Sequence, residues 1–235
     1  MAVFELNDQI IFPHPDLAEP NGLLAVGGDL SPQRLVAAYR LGIFPWYSVG
    51  DPILWWFTSP RLVLFPDEFR ISRRLQRYWR NRSCTMTIDG AFAEVVRCCA
   101  DTRSPGREDT WITPEMMTAY IDLHHRGYAH SVECWENDQL VGGLYGVCLG
   151  HVFFGESMFS HQTNSSKFAL IWLVDYLKTH NFKLIDCQMS TAHLTAMGAR
   201  EIAGSDFQLL LHQHISTLLP QAIRPYETKR INRNL

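Results

Sequence analysis

The spacing of apolar residues changes along the chain, and each change marks a predicted element of secondary structure. Between residues 88 and 127, apolar positions three and four apart predict two helices, and between 129 and 159 a shorter period predicts three consecutive strands. A helix over Asn164–Lys178, a strand over 183–189, a short helix or turn and a last helix over 205–215 follow. Strands in series followed by a helical crossover to a further strand are typical of an α+β fold built on one mixed sheet.

Capping residues predict where several helices begin. Ser31 is followed by Pro32, and Thr113 is followed by Pro114. A hydroxyl side chain accepts a hydrogen bond from a free N–H of the first turn, and proline fits the first helical position, so both pairs predict helix starts. Ser205 is assigned the same capping role in the last helix.

An aromatic segment, FPWYSVGDPILWW, occupies residues 44–56. Its prolines and glycine interrupt regular structure, so its tryptophans lie on or beside irregular backbone. We predict a small N-terminal domain over residues 1–59, which holds the first helix and this aromatic loop. A larger domain over 60–235 follows, and it begins with a short strand over 61–65.

Two predicted strands each carry one acidic residue among apolar neighbours. Side chains alternate along a strand, so Leu184, Asp186 and Gln188 share one side. A buried acid is costly unless it is paired, so Asp186 either pairs with a core arginine, caps a turn, or lines a cleft. Glu156, in FFGESMF, is either an outward residue on a bulge or a second cleft residue. We expect a site where the two acids converge.

Two tryptophans, Trp46 and Trp111, lie on irregular flanks. Core packing is the default for a tryptophan, but two loop-borne indoles also suit stacking on a nucleobase. We expect at least one of the adjacent Trp55 and Trp56 to be structural.

A predicted helix over residues 68–82 is rich in arginine. Its residues recur at helical spacing, which predicts either a solvated face or a track for a phosphate backbone. The formal net charge of −3 argues against a globally basic protein but allows a local basic face. The residues proposed to contact phosphates are Arg70, Arg73, Arg74, Arg77 and Arg80.

Several patterns are missing from the sequence. It has no run of 18 apolar residues, no secretory signal at its start, no C-x-x-C pair among its six cysteines and no HExxH spacing among its ten histidines. We therefore expect no membrane span, no metal and no cofactor. We also expect reduced thiols, a cytoplasmic location and a monomer.

Seven segments of the chain together resemble the leucyl/phenylalanyl-tRNA–protein transferase family. They occur in the family's order, and the resemblance extends over nearly the whole chain: EPNGLLAVGGDLSP, GIFPWYSVGDPILWW, TWIT, AHSVE, LVGGLYGV, FFGESMFS and KLIDCQ. The resemblance implies a C-terminal domain like a Gcn5-related acetyltransferase beside a small N-terminal domain. It also implies transfer of Leu or Phe, and less readily Met, from aminoacyl-tRNA to the N-terminal Arg or Lys of acceptor proteins. The added residue marks the acceptor for degradation by the N-end rule.

The same resemblance implies roles for the residues singled out above. Trp46 and Trp111 would stack on the 3′-terminal adenosine of the tRNA, and the arginine-rich helix would follow the acceptor stem. Asp186 with Gln188 would orient the acceptor amine and help to deprotonate it, and Glu156 would hold the aminoacyl end or the cationic acceptor. The walls of the pocket for the aminoacyl side chain would be Leu144, Met158, Leu170 and Ile185.

Two other functions are considered. A CoA-dependent N-acetyltransferase would need a glycine-rich loop to cradle the pyrophosphate, and the corresponding stretch, FSHQTNSSKFAL, contains no glycine. A non-catalytic tRNA-binding module would leave Glu156 and Asp186 without a purpose. Both functions are therefore less consistent with the sequence than aminoacyl transfer.

Overall fold

A computed structural model describes residues 3–101, 111–215 and 229–230 of the chain. Its helices are α1 Pro32–Arg40, α2 Arg73–Asn81, α3 Phe92–Asp101, α4 Pro114–His125, α5 Ser165–Thr179, α6 Ala192–Ala196 and α7 Gly204–His214. Its strands are β1 Phe4–Leu6, β2 Leu23–Gly27, β3 Phe44–Pro45, β4 Leu54–Trp56, β5 Arg61–Leu64, β6 Thr85–Ile88, β7 Ala129–Glu136, β8 Gln139–Leu149, β9 Val152–Ser160, β10 Leu184–Gln188, β11 Arg200–Ile202 and β12 Lys229–Arg230. Short 3₁₀ turns lie at Pro15–Leu17 and Pro66–Glu68. None of the helices in these ranges is long and apolar enough to cross a bilayer.

The strands form two sheets. The small sheet has the order β1-β2-β4-β3, and the large sheet has the order β11-β5-β10-β9-β8-β7-β6-β12. In the large sheet β9 and β10 run parallel, whereas their outer neighbours β8 and β5 pair with them antiparallel. The prediction of an α+β fold on a mixed sheet is therefore confirmed.

The apolar core runs without a break from the small sheet to the large one. Leu35 and Trp55 belong to the same buried cluster as Phe154 and Phe207. The domain boundary between residues 59 and 60 stays a prediction. Parts of the predicted larger domain lie outside the described residues, namely 102–110, 216–228 and 231–235.

The predictions of local structure were correct where the signal was local. Ser31 and Thr113 cap α1 and α4, since their hydroxyls accept hydrogen bonds from the N–H groups of Arg34 and Met116. Trp55 is fully buried and donates to the carbonyl of Gly27 at 2.9 Å, so it is structural.

The arginine-rich helix was predicted too long. It begins only at Arg73, after Ser72, whose hydroxyl caps it. Arg70 therefore lies outside the helix, on a segment whose backbone N–H bonds to the carbonyl of Met197 at 2.9 Å. This tertiary contact, together with the 3₁₀ turn that Pro66 begins, holds the preceding segment out of helical geometry.

Two other element predictions were wrong. Residues predicted to begin the helix near 88 instead form β6, where Met86 and Ile88 alternate inward. The last helix begins at Gly204 without a side-chain cap of its own, so Ser205 is not its cap. The N–H of Gly204 instead donates to the hydroxyl of Ser59 at 3.1 Å.

The two central parallel strands separate at one end, and this separation creates the site. β9 and β10 pair from Leu184 opposite Val152 to Asp186 opposite Phe154, and the pairing stops there. Just beyond, β9 bulges against β8, since Tyr145 pairs with Ser157 and Gly146 with Gly155. Glu156 is the extra residue of this bulge, so it lies at the opening between the strands.

Candidate active site

A cavity of about 470 Å³ opens where β9 and β10 separate. Residues of the small sheet, the loop before α4, the central strands and α5 all contribute to its walls. It brings together every site residue predicted from the sequence except the arginines: Trp46, Trp111, Leu144, Glu156, Met158, Leu170, Ile185, Asp186 and Gln188.

The part of the cavity beneath α5 is apolar. Leu144, Met158, Leu170 and Ile185 line it, and they belong to or pack against one buried cluster on this face of the sheet. Phe153 and Leu173 also line the cavity but were not predicted. The apolar spacing along α5 was a signal for Leu173. Phe153 pairs with Ile185 across the sheet, which is a tertiary contact that the sequence does not reveal.

Aromatic residues border the cavity on the side of the small sheet. Trp46 and Trp111 are both half-buried there. The carbonyl of Trp46 accepts a 2.7 Å hydrogen bond from the indole of Trp56, which supports the loop from beneath. A 3.3 Å contact between the hydroxyls of Tyr47 and Thr113 joins the two tryptophan-bearing segments. The two indoles are therefore held on backbone that is fixed in place.

Asp186 is fully buried in an ion pair with Arg61. The guanidinium donates from Nε to Oδ1 at 2.8 Å and from Nη2 to Oδ2 at 2.6 Å. Arg61 also lies 4.9 Å from the ring centre of Phe44 and 4.7 Å from that of Phe207. Of the alternatives left open for Asp186, the structure shows pairing with a core arginine, at a position that also lines the cavity. Arg61 was missed, although a charged residue in the apolar run TSPRLVLF was a signal.

The ion pair fixes Gln188 in an unusual backbone conformation. Gln188 has a φ of 59°, and its N–H donates to Asp186 Oδ1 at 3.0 Å. Its carbonyl accepts a hydrogen bond from the hydroxyl of Thr58 at 3.3 Å, and Thr58 in turn contacts Arg61. Its side-chain amide donates to Glu156 Oε1 at 3.0 Å. Gln188 thus joins the two acidic residues across the opening.

Glu156 lies at the end of a hydrogen-bonded chain of two tyrosines. The Tyr120 hydroxyl donates to Glu156 Oε2 at 2.7 Å and lies 2.6 Å from the Tyr39 hydroxyl. Burial raises the pKa of the Glu156 carboxyl from an ordinary 4.5 to about 7, although hydrogen bonds from Tyr120 and Tyr39 oppose the rise. The carboxyl can therefore change its charge near neutral pH.

The arginines lie outside the cavity, on an exposed surface. Arg70, Arg73, Arg74, Arg77 and Arg80 are all exposed, and none forms an ion pair with another described residue. α2 rests on the core through Leu75 and Trp79, whose ring centre lies 5.1 Å from that of Phe168 on α5. The basic surface is therefore attached to the helix that also covers the apolar part of the cavity.

We predict that Glu156→Gln flattens the pH dependence of stability. Because the folded-state pKa is raised, the folded protein binds more protons than the unfolded chain between pH 4.5 and about 7, and stability falls as pH rises through this window. Urea unfolding at several pH values measures this effect. Between pH 4.5 and about 7, the unfolding free energy of the wild type should fall by roughly 2 kcal/mol relative to that of the variant, a figure reduced to allow for solvent at this half-buried group.

The control for this prediction is Glu68→Gln. The hydrogen bond from Arg200 lowers the pKa of this exposed carboxyl, so wild type should gain stability relative to that variant as pH rises. If the difference in unfolding free energy between the wild type and Glu156→Gln stays constant with pH, Glu156 ionises normally and the prediction is wrong.

Comparison with known proteins gives the family. Residues 63–212 match the family model described as leucyl/phenylalanyl-tRNA protein transferase, and residues 28–59 match that of its N-terminal domain. A relative from Desulfotalea psychrophila named leucyl/phenylalanyl-tRNA–protein transferase is 58% identical over 93% of this chain and 95% of its own. A relative of the same name from Syntrophobacter fumaroxidans is 57% identical over 92% of each chain.

Similarity to solved structures is much weaker. A ribosomal-protein-alanine N-acetyltransferase from Brucella melitensis matches with a TM-score of 0.34 and 11% identity, over 62% of this chain and 99% of that one. A match at this level carries no argument about function. The family models and the two relatives carry the assignment, and the chain belongs to the leucyl/phenylalanyl-tRNA protein transferase family.

Proposed function

We propose that this protein is an aminoacyltransferase that moves Leu or Phe, and less readily Met, from aminoacyl-tRNA to the N-terminal Arg or Lys of acceptor proteins. The modified acceptor is thereby marked for degradation by the N-end rule. The reaction takes place in the cytoplasm, where aminoacyl-tRNA is present. The observation that carries the proposal is one cavity in which an apolar lobe, two half-buried indoles and a polar group centred on Gln188 meet.

The donor is held by three kinds of contact. Trp46 and Trp111 stack on the terminal adenosine, a contact worth about 1–3 kcal/mol per base. The arginines of α2, with Arg70, contact phosphates of the acceptor stem. The Leu or Phe side chain enters the apolar lobe, whose walls of aliphatic and aromatic side chains offer no partner to a charged group.

The reaction needs a neutral amine placed against an activated ester. The acceptor nitrogen attacks the ester carbonyl, a C–N bond forms, and the bond to the 3′ oxygen of the tRNA breaks. The amine gives up a proton, and the departing oxygen gains one. Because the ester is already activated, positioning supplies much of the rate.

Asp186 acts as a positioning residue in this scheme. Both of its oxygens accept from Arg61, and Oδ1 also accepts from the N–H of Gln188. These bonds hold the carboxylate in one orientation. Asp186 thereby fixes Gln188, whose side-chain oxygen receives the N–H of the acceptor amine.

Transfer of labelled Leu tests the function directly. With Leu-tRNA and a peptide that begins with Arg, the protein should label the peptide, and a peptide that begins with Glu is the control. Asp186→Ala should lower turnover and keep tRNA affinity, since Asp186 does not touch the tRNA in this scheme. Labelling from acetyl-CoA alone would select the acetyltransferase alternative. Binding of tRNA without any product would select the binding module.

The arginine surface can be tested by salt dependence. Each phosphate contact contributes roughly 0.7–0.9 to the slope of log affinity against log salt concentration. Changing Arg73, Arg74 and Arg77 to Gln should therefore weaken tRNA binding and reduce the slope by about 2.

A second triple variant controls for net charge. Arg97, Arg126 and Arg200 are exposed arginines in ion pairs elsewhere on the surface. Changing these three to Gln removes the same formal charge and should leave the slope nearly unchanged. Equal slopes in the two triple variants would show that α2 does not contact the tRNA.

A further inference from the structure

The cavity contains one carboxylate that lacks a cationic partner. The charge of Asp186 is matched by Arg61 inside the protein. Glu156 accepts hydrogen bonds from the neutral groups of Tyr120 and Gln188, and no described residue forms an ion pair with it. A half-buried carboxylate in this state is poorly compensated, so the site favours a ligand that brings a positive charge.

A second polar group next to Glu156 also lacks a partner. Tyr145 is fully buried and lines the same cavity, and its hydroxyl has no hydrogen bond within the described part of the chain. It lies on β8 across from the bulge that carries Glu156. The negative charge of Glu156 contributes, after burial, to raising the pKa of the Tyr145 hydroxyl, as expected for close neighbours. A buried hydroxyl without a partner is costly and calls for a ligand or water.

The position of these two groups fits one atom of the donor. In the proposed function, the aminoacyl side chain occupies the apolar lobe, and the ester carbonyl is attacked by an amine that is held at Gln188. The α-carbon that joins these two parts must then lie near Glu156, whose Oε1 is 3.0 Å from the Gln188 amide nitrogen. The remaining substituent on that carbon is the α-ammonium group, which is a cation with three N–H donors.

We propose that Glu156, together with the hydroxyl of Tyr145, binds the α-ammonium group of the aminoacyl donor and thereby selects donors whose α-amine is free. This inference rests on the proposed function. The acceptor amine is a poorer occupant, because it must be neutral to attack the ester and gains nothing from a fixed negative charge. Donors with an acylated or missing α-amine should therefore be poor substrates, although their ester bond is unchanged.

Two donors that differ in one group test the proposal. The first is Leu-tRNA, and the second is its 2-hydroxy analogue, in which a hydroxyl replaces the α-ammonium while the side chain and the ester are kept. With the Arg-initiated peptide as acceptor, the wild type should prefer Leu-tRNA by roughly 10- to 100-fold in kcat/KM, the range for a hydrogen bond to a charged group.

Three variants test which residues cause the preference for Leu-tRNA over the 2-hydroxy analogue. Glu156→Gln is nearly isosteric and should reduce the preference to about 3-fold or less, chiefly through loss of activity on Leu-tRNA. Tyr145→Phe removes one oxygen and should lower the preference by a smaller factor, which keeps the test available if Glu156→Gln folds poorly. The control Asp186→Asn should slow both donors by the same factor and keep the wild-type preference.

The outcomes separate this inference from the function on which it rests. If the wild type transfers neither donor, the proposed function fails. If it transfers both donors equally well, the inference is overturned while the function stands. If Glu156→Gln slows both donors by one factor, Glu156 serves the acceptor or the fold instead, and the inference is again overturned. If Tyr145→Phe keeps the wild-type preference for Leu-tRNA, the Tyr145 hydroxyl does not bind the α-ammonium group.

Discussion

The buried ion pair between Arg61 and Asp186 is the interaction on which the site depends. It joins β5 to β10 at the point where β10 leaves β9. Removing one member of such a pair leaves a buried charge without compensation, which costs roughly 3–5 kcal/mol. Both members of the pair also form hydrogen bonds with neighbouring residues. Asp186 accepts one from the N–H of Gln188, and Arg61 donates one to the hydroxyl of Thr58. The geometry of the polar end of the cavity follows from this one contact.

The cavity exists because the large sheet is interrupted in the middle. Parallel pairing of β9 and β10 ends at Asp186 and Phe154, and the bulge at Glu156 turns a polar side chain into the opening. The apolar lobe lies on the α5 face of the sheet, and the indoles of Trp46 and Trp111 border the other side. In the proposed function, three different parts of the fold place the side chain, the adenine base and the reacting carbon of the donor. The small sheet is thus part of the site, because Phe44 and Pro45 of β3 line the cavity and Trp46 directly follows that strand.

The sequence predicted those features that arise from local physics. The caps at Ser31 and Thr113 depend on residues one turn away, and both were predicted correctly. The start of α7 was missed because its first N–H is satisfied by Ser59, which is 145 residues distant. The start of α2 was missed for a similar reason, since a tertiary contact holds Arg70 out of the helix. Periodicity does not report contacts of this kind.

The same limit applies to the candidate site. The acids could be recognised as costly residues in apolar strands, and the structure brings both to one cavity. The partner of Asp186 lies 125 residues away, so the sequence left pairing and a cleft position as open alternatives. The bulge at Glu156 was among the alternatives considered, but the inward direction of its side chain depends on Tyr120 and Gln188. Such directions are decided by tertiary hydrogen bonds.

The most direct test of the account is a double-mutant cycle on Arg61→Met and Asp186→Val, measured by urea unfolding. Each single variant should lose roughly 3–5 kcal/mol, because each leaves one buried charge unpaired. The double variant should lose less than the sum by at least about 2 kcal/mol, since neither charge then remains. Losses that add to within about 0.5 kcal/mol would show that the two residues are not energetically coupled, and would contradict the account.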